Sequence, residues 1–172
     1  MSVHPLSWSD MDRLRATLFA RAPAPLYAIV DCARSPRAYP LVRDCALETA
    51  CLYDGDPPNP LREAAPYLVR LQANAPFVAD LIAHGWGEAW GIYAASHVAL
   101  DDLRRHLRTL LRVRDPDGRV LLFRFYDPRV LRLYAPTCTP DERARLFGPI
   151  EQFLVEDDAG EVIALARSGA RS

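Results

Sequence analysis

The sequence predicts an α/β fold in a single domain, a mixed β-sheet with helices packed on it and hairpins in the C-terminal half. Three observations lead there. Strand-length apolar runs alternate with helix-length amphipathic stretches up to residue 112. Turn-separated strand pairs take over after it. At 172 residues the chain is also long enough to bury roughly 70% of its unfolded surface without help from metals or disulfides.

Residues 9–20 read as a helix, with Ser9 as N-cap, Asp10 and Asp12 in the first turn, and Met11, Leu14 and Leu18 on one face. The breaker run Ala20–Pro25 ends it. Leu26-Tyr27-Ala28-Ile29-Val30-Asp31 is a short apolar run closed by a carboxylate, the pattern of a buried central strand. From Pro40, the positions Leu41, Val42, Cys45, Ala46, Thr49 and Ala50 recur at helical spacing, and Asp54–Pro60 is a loop. A strand over 66–71 and a helix over 76–84 come next, the helix stopping at Gly85. Gly91–Ser96 is a third strand. Residues 98–112 form the clearest helix: Leu100, Leu103, Leu107, Leu110 and Leu111 share a face, with Asp101 and Asp102 early and Arg108 and Arg112 late, as the macrodipole favours.

Pro116-Asp117-Gly118 between Val113–Asp115 and Arg119–Tyr126 predicts an antiparallel hairpin. Asp127-Pro128 opens a short helix, and Thr139-Pro140-Asp141-Glu142 has capping-box spacing for another that runs to about Phe147. Residues 150–156 and 161–166 make a last hairpin around Asp157–Gly160. The end, 167–172, reads as a frayed tail.

Composition excludes several classes. Half the residues are hydrophobic and a quarter charged, which is globular rather than disordered usage. All 21 basic residues are Arg, yet 22 acidic residues interleave with them for a net charge of -1, so no nucleic-acid partner is expected. No apolar run is long enough for membrane insertion and the start lacks a signal peptide's pattern, so the expected location is the cytoplasm. Cys32, Cys45, Cys51 and Cys138 form no CxxC pair and have no His at ligand spacing, so no metal site is expected and buried free thiols are the simpler reading.

Little in the sequence suggests catalysis. The cluster Gly85-Trp86-Gly87-Glu88-Ala89-Trp90-Gly91 precedes a strand, whereas a phosphate cradle follows a strand and opens a helix; it reads as a helix stop and turn. Ser96 and His97 point to opposite faces of a strand, so they are poorly placed to share a proton. His97 and His106 fall about 180° apart around a helix axis and cannot clamp one metal. In Leu121–Arg129, strand alternation sets Arg124 on one face with Leu122 and Tyr126; Arg124 and Asp127 mark either a binding site at the strand end or a buried ion pair, with Asp31 at the end of its own strand as partner, and the ion pair is the expectation. Trp86, Trp90, Tyr126 and Arg129 are the candidate partner-binding residues, since aromatic and Arg side chains dominate interface hot spots. No catalytic residue and no cofactor is assigned.

The ordered pieces Leu26–Asp31, Cys51–Gly55, Ala65–Val69, Gly91–Tyr93, His106–Arg108, Phe123–Leu131 and Phe147–Ile150 can be read together. Over about residues 25–157 the chain resembles the domain of unknown function 4123 family, bacterial adaptors of type VI secretion effectors. The resemblance implies a non-enzymatic cytoplasmic chaperone that binds one cognate effector protein and promotes its loading onto the VgrG spike protein. The competing expectation is a small-molecule-binding α/β domain, or an enzyme whose site lies beyond the strand ends where Asp31, Ser96 and Asp127 converge.

Overall fold

The organisation of the main sheet follows from its least polar strand. The computed structural model describes residues 6–168. In it β1 (Leu26–Asp31) is buried at all six positions, which an antiparallel sheet permits only if both of its faces are covered. β1 lies between β3 (Pro66–Arg70) and β4 (Gly91–Ser96), with Tyr27 opposite Arg70 on one side and Ala94 on the other. β2 (Thr49–Cys51) extends the sheet beyond β3, and β7 (Ile150–Glu156) and β8 (Val162–Ala166) extend it beyond β4, giving the order β2-β3-β1-β4-β7-β8.

Every pairing is antiparallel. Because β3 and β4 both oppose β1, they run parallel to each other with β1 between them, and α3 (Pro76–Gly85) carries the chain from one to the other. The alternation of strand and helix in the sequence thus folds as a split crossover. The expected central strand is central.

Period-2 alternation divides the core. Leu26, Ala28 and Val30 join Val69, Ala95 and Leu154 under α1 (Trp8–Arg21), α2 (Ala38–Asp44) and α3. Tyr27 and Ile29 join Leu68, Ile92, Ala94, Phe153 and Val155 under α4 (Leu100–Leu110), α5 (Pro128–Tyr134) and α6 (Pro140–Phe147). α4 buries Leu100, Leu103 and Leu107 as its leucine periodicity predicts. Truncating such a side chain to Ala costs about 2–5 kcal/mol. The capping box of α6 forms in full, with Thr139 N donating to Glu142 and Glu142 N to Thr139.

Several boundaries differ from the sequence reading. α1 starts at Trp8 with Ser7 as its cap: the Ser7 hydroxyl accepts from Asp10 N at 3.1 Å, and Ser9 sits inside the helix. The helix expected to run from Pro40 to Ala50 is α2, which ends at Asp44. Thr49, Ala50 and Cys51 instead pair with Val69, Leu68 and Tyr67, where ladder hydrogen bonds to β3 outweigh a weak helical pattern containing a β-branched Thr. The strand expected over 119–126 is only β6 (Val120–Leu122), paired with β5 (Arg112–Arg114) in a separate two-stranded sheet. After Leu122 the chain turns, with Asp127 N donating to the Arg124 carbonyl at 3.1 Å. Phe125 and Tyr126 are buried in succession in this turn, so the alternation expected for Leu122, Arg124 and Tyr126 on one strand does not form. Of the expected tail, residues 169–172 lie outside the described residues.

Gly91 sits where β4 passes β1 closely, so that a Cβ would fall 2.0 Å from the Ile29 carbonyl oxygen. Gly91→Ala is expected to lower stability by about 1–3 kcal/mol, the usual scale of core overpacking. Urea unfolding checks this, and an unchanged midpoint contradicts it.

Candidate functional site

The charged cluster predicted from Leu121–Arg129 forms at the end of β1. Asp31 follows Val30 out of the apolar stretch with its side chain 2% exposed, and its Oδ1 accepts from Ala33 N at 3.1 Å. Its Oδ2 accepts from Arg124 Nη2 at 2.5 Å. The expected pair is therefore made, but Arg124 is not buried: its side chain is 42% exposed and reaches in from the turn after β6. Asp127 pairs with Arg129 instead, accepting from Nε at 2.9 Å and Nη2 at 2.6 Å while capping α5 through Arg129 N. Burial pushes the Asp127 carboxyl up, and the Arg129 hydrogen bonds outweigh it, leaving the group below the usual carboxylate range.

Three of the four candidate partner-binding residues lie inside the fold. Trp86 packs against Tyr93 at 6.1 Å between ring centroids, and its indole Nε1 donates to the Gly160 carbonyl at 2.8 Å. Trp90 is buried under the first face, and its carbonyl accepts from Asp31 N at 2.6 Å. Tyr126 is buried edge-on to Phe125. Arg129 alone of the four is exposed.

The glycine-rich segment between α3 and β4 is a turn, as expected. Its amides cradle an anion supplied by the chain itself: Gly87 N and Ala89 N donate to the Glu156 carboxylate at 2.6 and 2.9 Å. Gly87 reaches this geometry at φ +83°, and Ala89 holds φ +55°. Burial raises the Glu156 carboxyl above its ordinary value despite these two amides.

The convergence of Asp31, Ser96 and Asp127 does not occur. Ser96 follows Ala95, which pairs with Leu26 at the start of β1, whereas Asp31 ends β1. The two are separated by the length of the strand, roughly 16 Å. Ser96 Oγ donates to the Pro149 carbonyl at 2.8 Å. His97 and His106 are also apart, His97 beside Glu151 and the half-buried His106 against the Leu146 carbonyl. Burial lowers the His106 pKa below that of a free imidazole. Among the described residues no group of three or more His, Cys, Asp or Glu side chains is arranged to hold a metal.

What the sequence reading missed is on the surface. All six residues of β5 and β6 are exposed, and Val113, Val120, Leu121 and Leu122 present apolar side chains on a hairpin outside the main sheet. A run of three consecutive apolar residues is the signal: strand alternation sends them to both faces, and a two-stranded ribbon has no second layer to cover either. Beside the hairpin, a groove of about 820 Å³ opens between β5, the C-terminal end of α4 and α6. Phe123, Tyr134, Leu110 and Leu146 supply its apolar lining. A second groove, of about 730 Å³, lies between α2 and α3, where Trp90 and Phe77 contribute to the wall.

The family model described as "Domain of unknown function (DUF4123)" matches residues 26–145, more than half of the chain. The match begins at β1 and ends within α6. It leaves out Phe147–Ile150 and the strands β7 and β8, although β7 pairs along β4 in the same sheet. No curated protein and no solved structure matches the chain.

These contacts lead to two expected outcomes. Arg124→Ala leaves the buried Asp31 carboxylate with only the Ala33 amide, and is expected to cost about 1–3 kcal/mol, less than a fully enclosed pair because water reaches the guanidinium. A normal melting temperature contradicts it. For Glu156 the folded-state pKa is raised, so its contribution is most favourable in acid and is lost as pH rises through that raised value. The stability of the protein relative to its Glu156→Gln variant should therefore fall as pH rises from the ordinary glutamate range through the raised value. Urea titrations in which this difference grows with pH would overturn the assignment.

Proposed function

This chain belongs to the DUF4123 family, and on that premise we propose that it is a non-enzymatic adaptor of bacterial type VI secretion. It holds one cognate effector protein in the cytoplasm and promotes its loading onto the VgrG spike protein. The observation that carries the reading is the β5–β6 hairpin, an exposed apolar ribbon beside a large groove. Contiguous exposed apolar surface is costly in water and is the ordinary mark of a protein-binding site.

The remaining chemistry is consistent with this role. The buried carboxylates of Asp31, Asp127 and Glu156 are each engaged by donors of the chain itself. Ser96 is hydrogen-bonded to backbone. These groups hold the fold, so the surface is what remains for a partner. Among the described residues no helix is long and apolar enough to cross a membrane.

Co-expression of the tagged protein with the effector encoded beside it, followed by affinity capture and size-exclusion with light scattering, tests the proposal. A stoichiometric complex that keeps the effector soluble, and that also captures the spike protein when it is added, is the expected result. Elution of the protein alone while the effector is soluble overturns it.

A further inference from the structure

The groove beside the hairpin has an open strand edge along one wall. Arg112, Val113 and Arg114 all line it, whereas none of Val120, Leu121 and Leu122 does, so it lies on the β5 side. Residues 112–114 alternate between the two faces of the ribbon, and all three reach the groove because the edge of β5 borders it.

The hydrogen-bond phase fixes which backbone groups point there. Phe123 N donates to the Leu111 carbonyl at 2.8 Å, and Asp115 N to the Arg119 carbonyl at 3.0 Å. In an antiparallel pair such bonded positions alternate, so Val113 also faces Leu121 across the ladder and Arg112 and Arg114 turn their N–H and C=O groups away from β6. These four groups have no hydrogen-bond partner among the described residues.

The charges around the groove are one-sided. Arg112 and Arg145 make neither an ion pair nor a hydrogen bond among the described residues, and Arg114 reaches only the Gly118 carbonyl at 3.3 Å. Most other Arg side chains are held by carboxylates or carbonyls, for example Arg124 by Asp31 and Arg104 by the Cys51 carbonyl. The one acidic side chain in the lining is Glu142, already bonded to Thr139 N in the capping box.

We propose that the outer edge of β5 takes an extended, acidic and apolar polypeptide segment of a partner as an added strand. The free N–H and C=O groups of Arg112 and Arg114 supply the ladder. Arg112 and Arg114 share one face of β5, so carboxylates at alternate positions of the incoming strand meet them, with Arg145 across the groove. Apolar side chains at the intervening positions lie along Val113 and the lining of Phe123 and Tyr134. Net charge -1 for the whole chain makes this a local preference for carboxylates rather than a nucleic-acid surface. The β5 edge as a docking site rests on the adaptor reading and adds to it the chemistry of the segment held.

The test uses the full chain and fluorescein-labelled ten-residue probes: alternating Glu and Val, alternating Lys and Val, and a single-stranded RNA. Anisotropy should rise with the Glu-Val probe alone. The double variant Arg112→Glu, Arg145→Glu should weaken that binding by about tenfold or more, and Arg37→Glu, the same charge reversal on the α2–α3 groove, should leave it unchanged. Amide exchange at Arg112 and Arg114 should slow in the complex. No binding of Glu-Val, equal binding of Lys-Val, tighter binding of RNA, or unaltered exchange at these two amides each overturns the proposal. Effector capture separates the two claims: full capture by the double variant removes the β5 edge and leaves the adaptor role standing.

Discussion

A carboxylate at the end of a strand buried on both faces dictates the path of a distant part of the chain. β1 is apolar through Val30, and Asp31 is the first charge the chain meets there. A buried carboxylate needs donors, and the guanidinium that answers it arrives from Arg124, 93 residues later. Arg124 lies in the turn that follows the end of β6 at Leu122, where the chain heads inward. Phe125 and Tyr126 then enter the second core, and Asp127 is positioned to cap α5. The hairpin before this turn is left outside the sheet, and an ion pair two residues beyond its last strand residue ties the chain back to the end of β1.

That linkage explains which parts of the fold were legible in the sequence. β1, α4 and the capping box of α6 each rest on local signals that agree with their surroundings: an unbroken apolar run, a leucine stripe with matched terminal charges, and a reciprocal pair of side chains. The failures lie where a distant partner decides. Helical spacing from Pro40 to Ala50 lost to pairing with β3, and strand alternation from Leu122 to Tyr126 lost to the pull of Asp31. Of the candidate site, the Asp31–Arg124 pair was legible because a strand-end carboxylate and a lone Arg in an apolar run each require a partner. The interiors taken by Trp86, Trp90 and Tyr126 were not, since a large aromatic in a sequence looks the same in a core and at an interface.

The Gly87–Ala89 turn illustrates how a suggestive motif is resolved. Its amides do face an anion, but Glu156 provides it from β7, fastening the α3–β4 connection to a strand beyond the family match. Trp86 makes a second tie to the same region through Gly160. The C-terminal strands are thus joined to the matched part by side-chain bonds as well as by the ladder between β4 and β7.

The position of the hairpin separates two kinds of selection on the sequence. No residue of β5 or β6 is buried, so replacing one removes no packing from either core. The two strands are joined to the rest through the short connections at Leu111 and Phe123 and share no ladder with the six-stranded sheet. Residues along this ribbon can therefore be exchanged one by one while the scaffold's folding free energy stays nearly constant, so the surface chemistry of this face is uncoupled from the stability of the sheet beneath it.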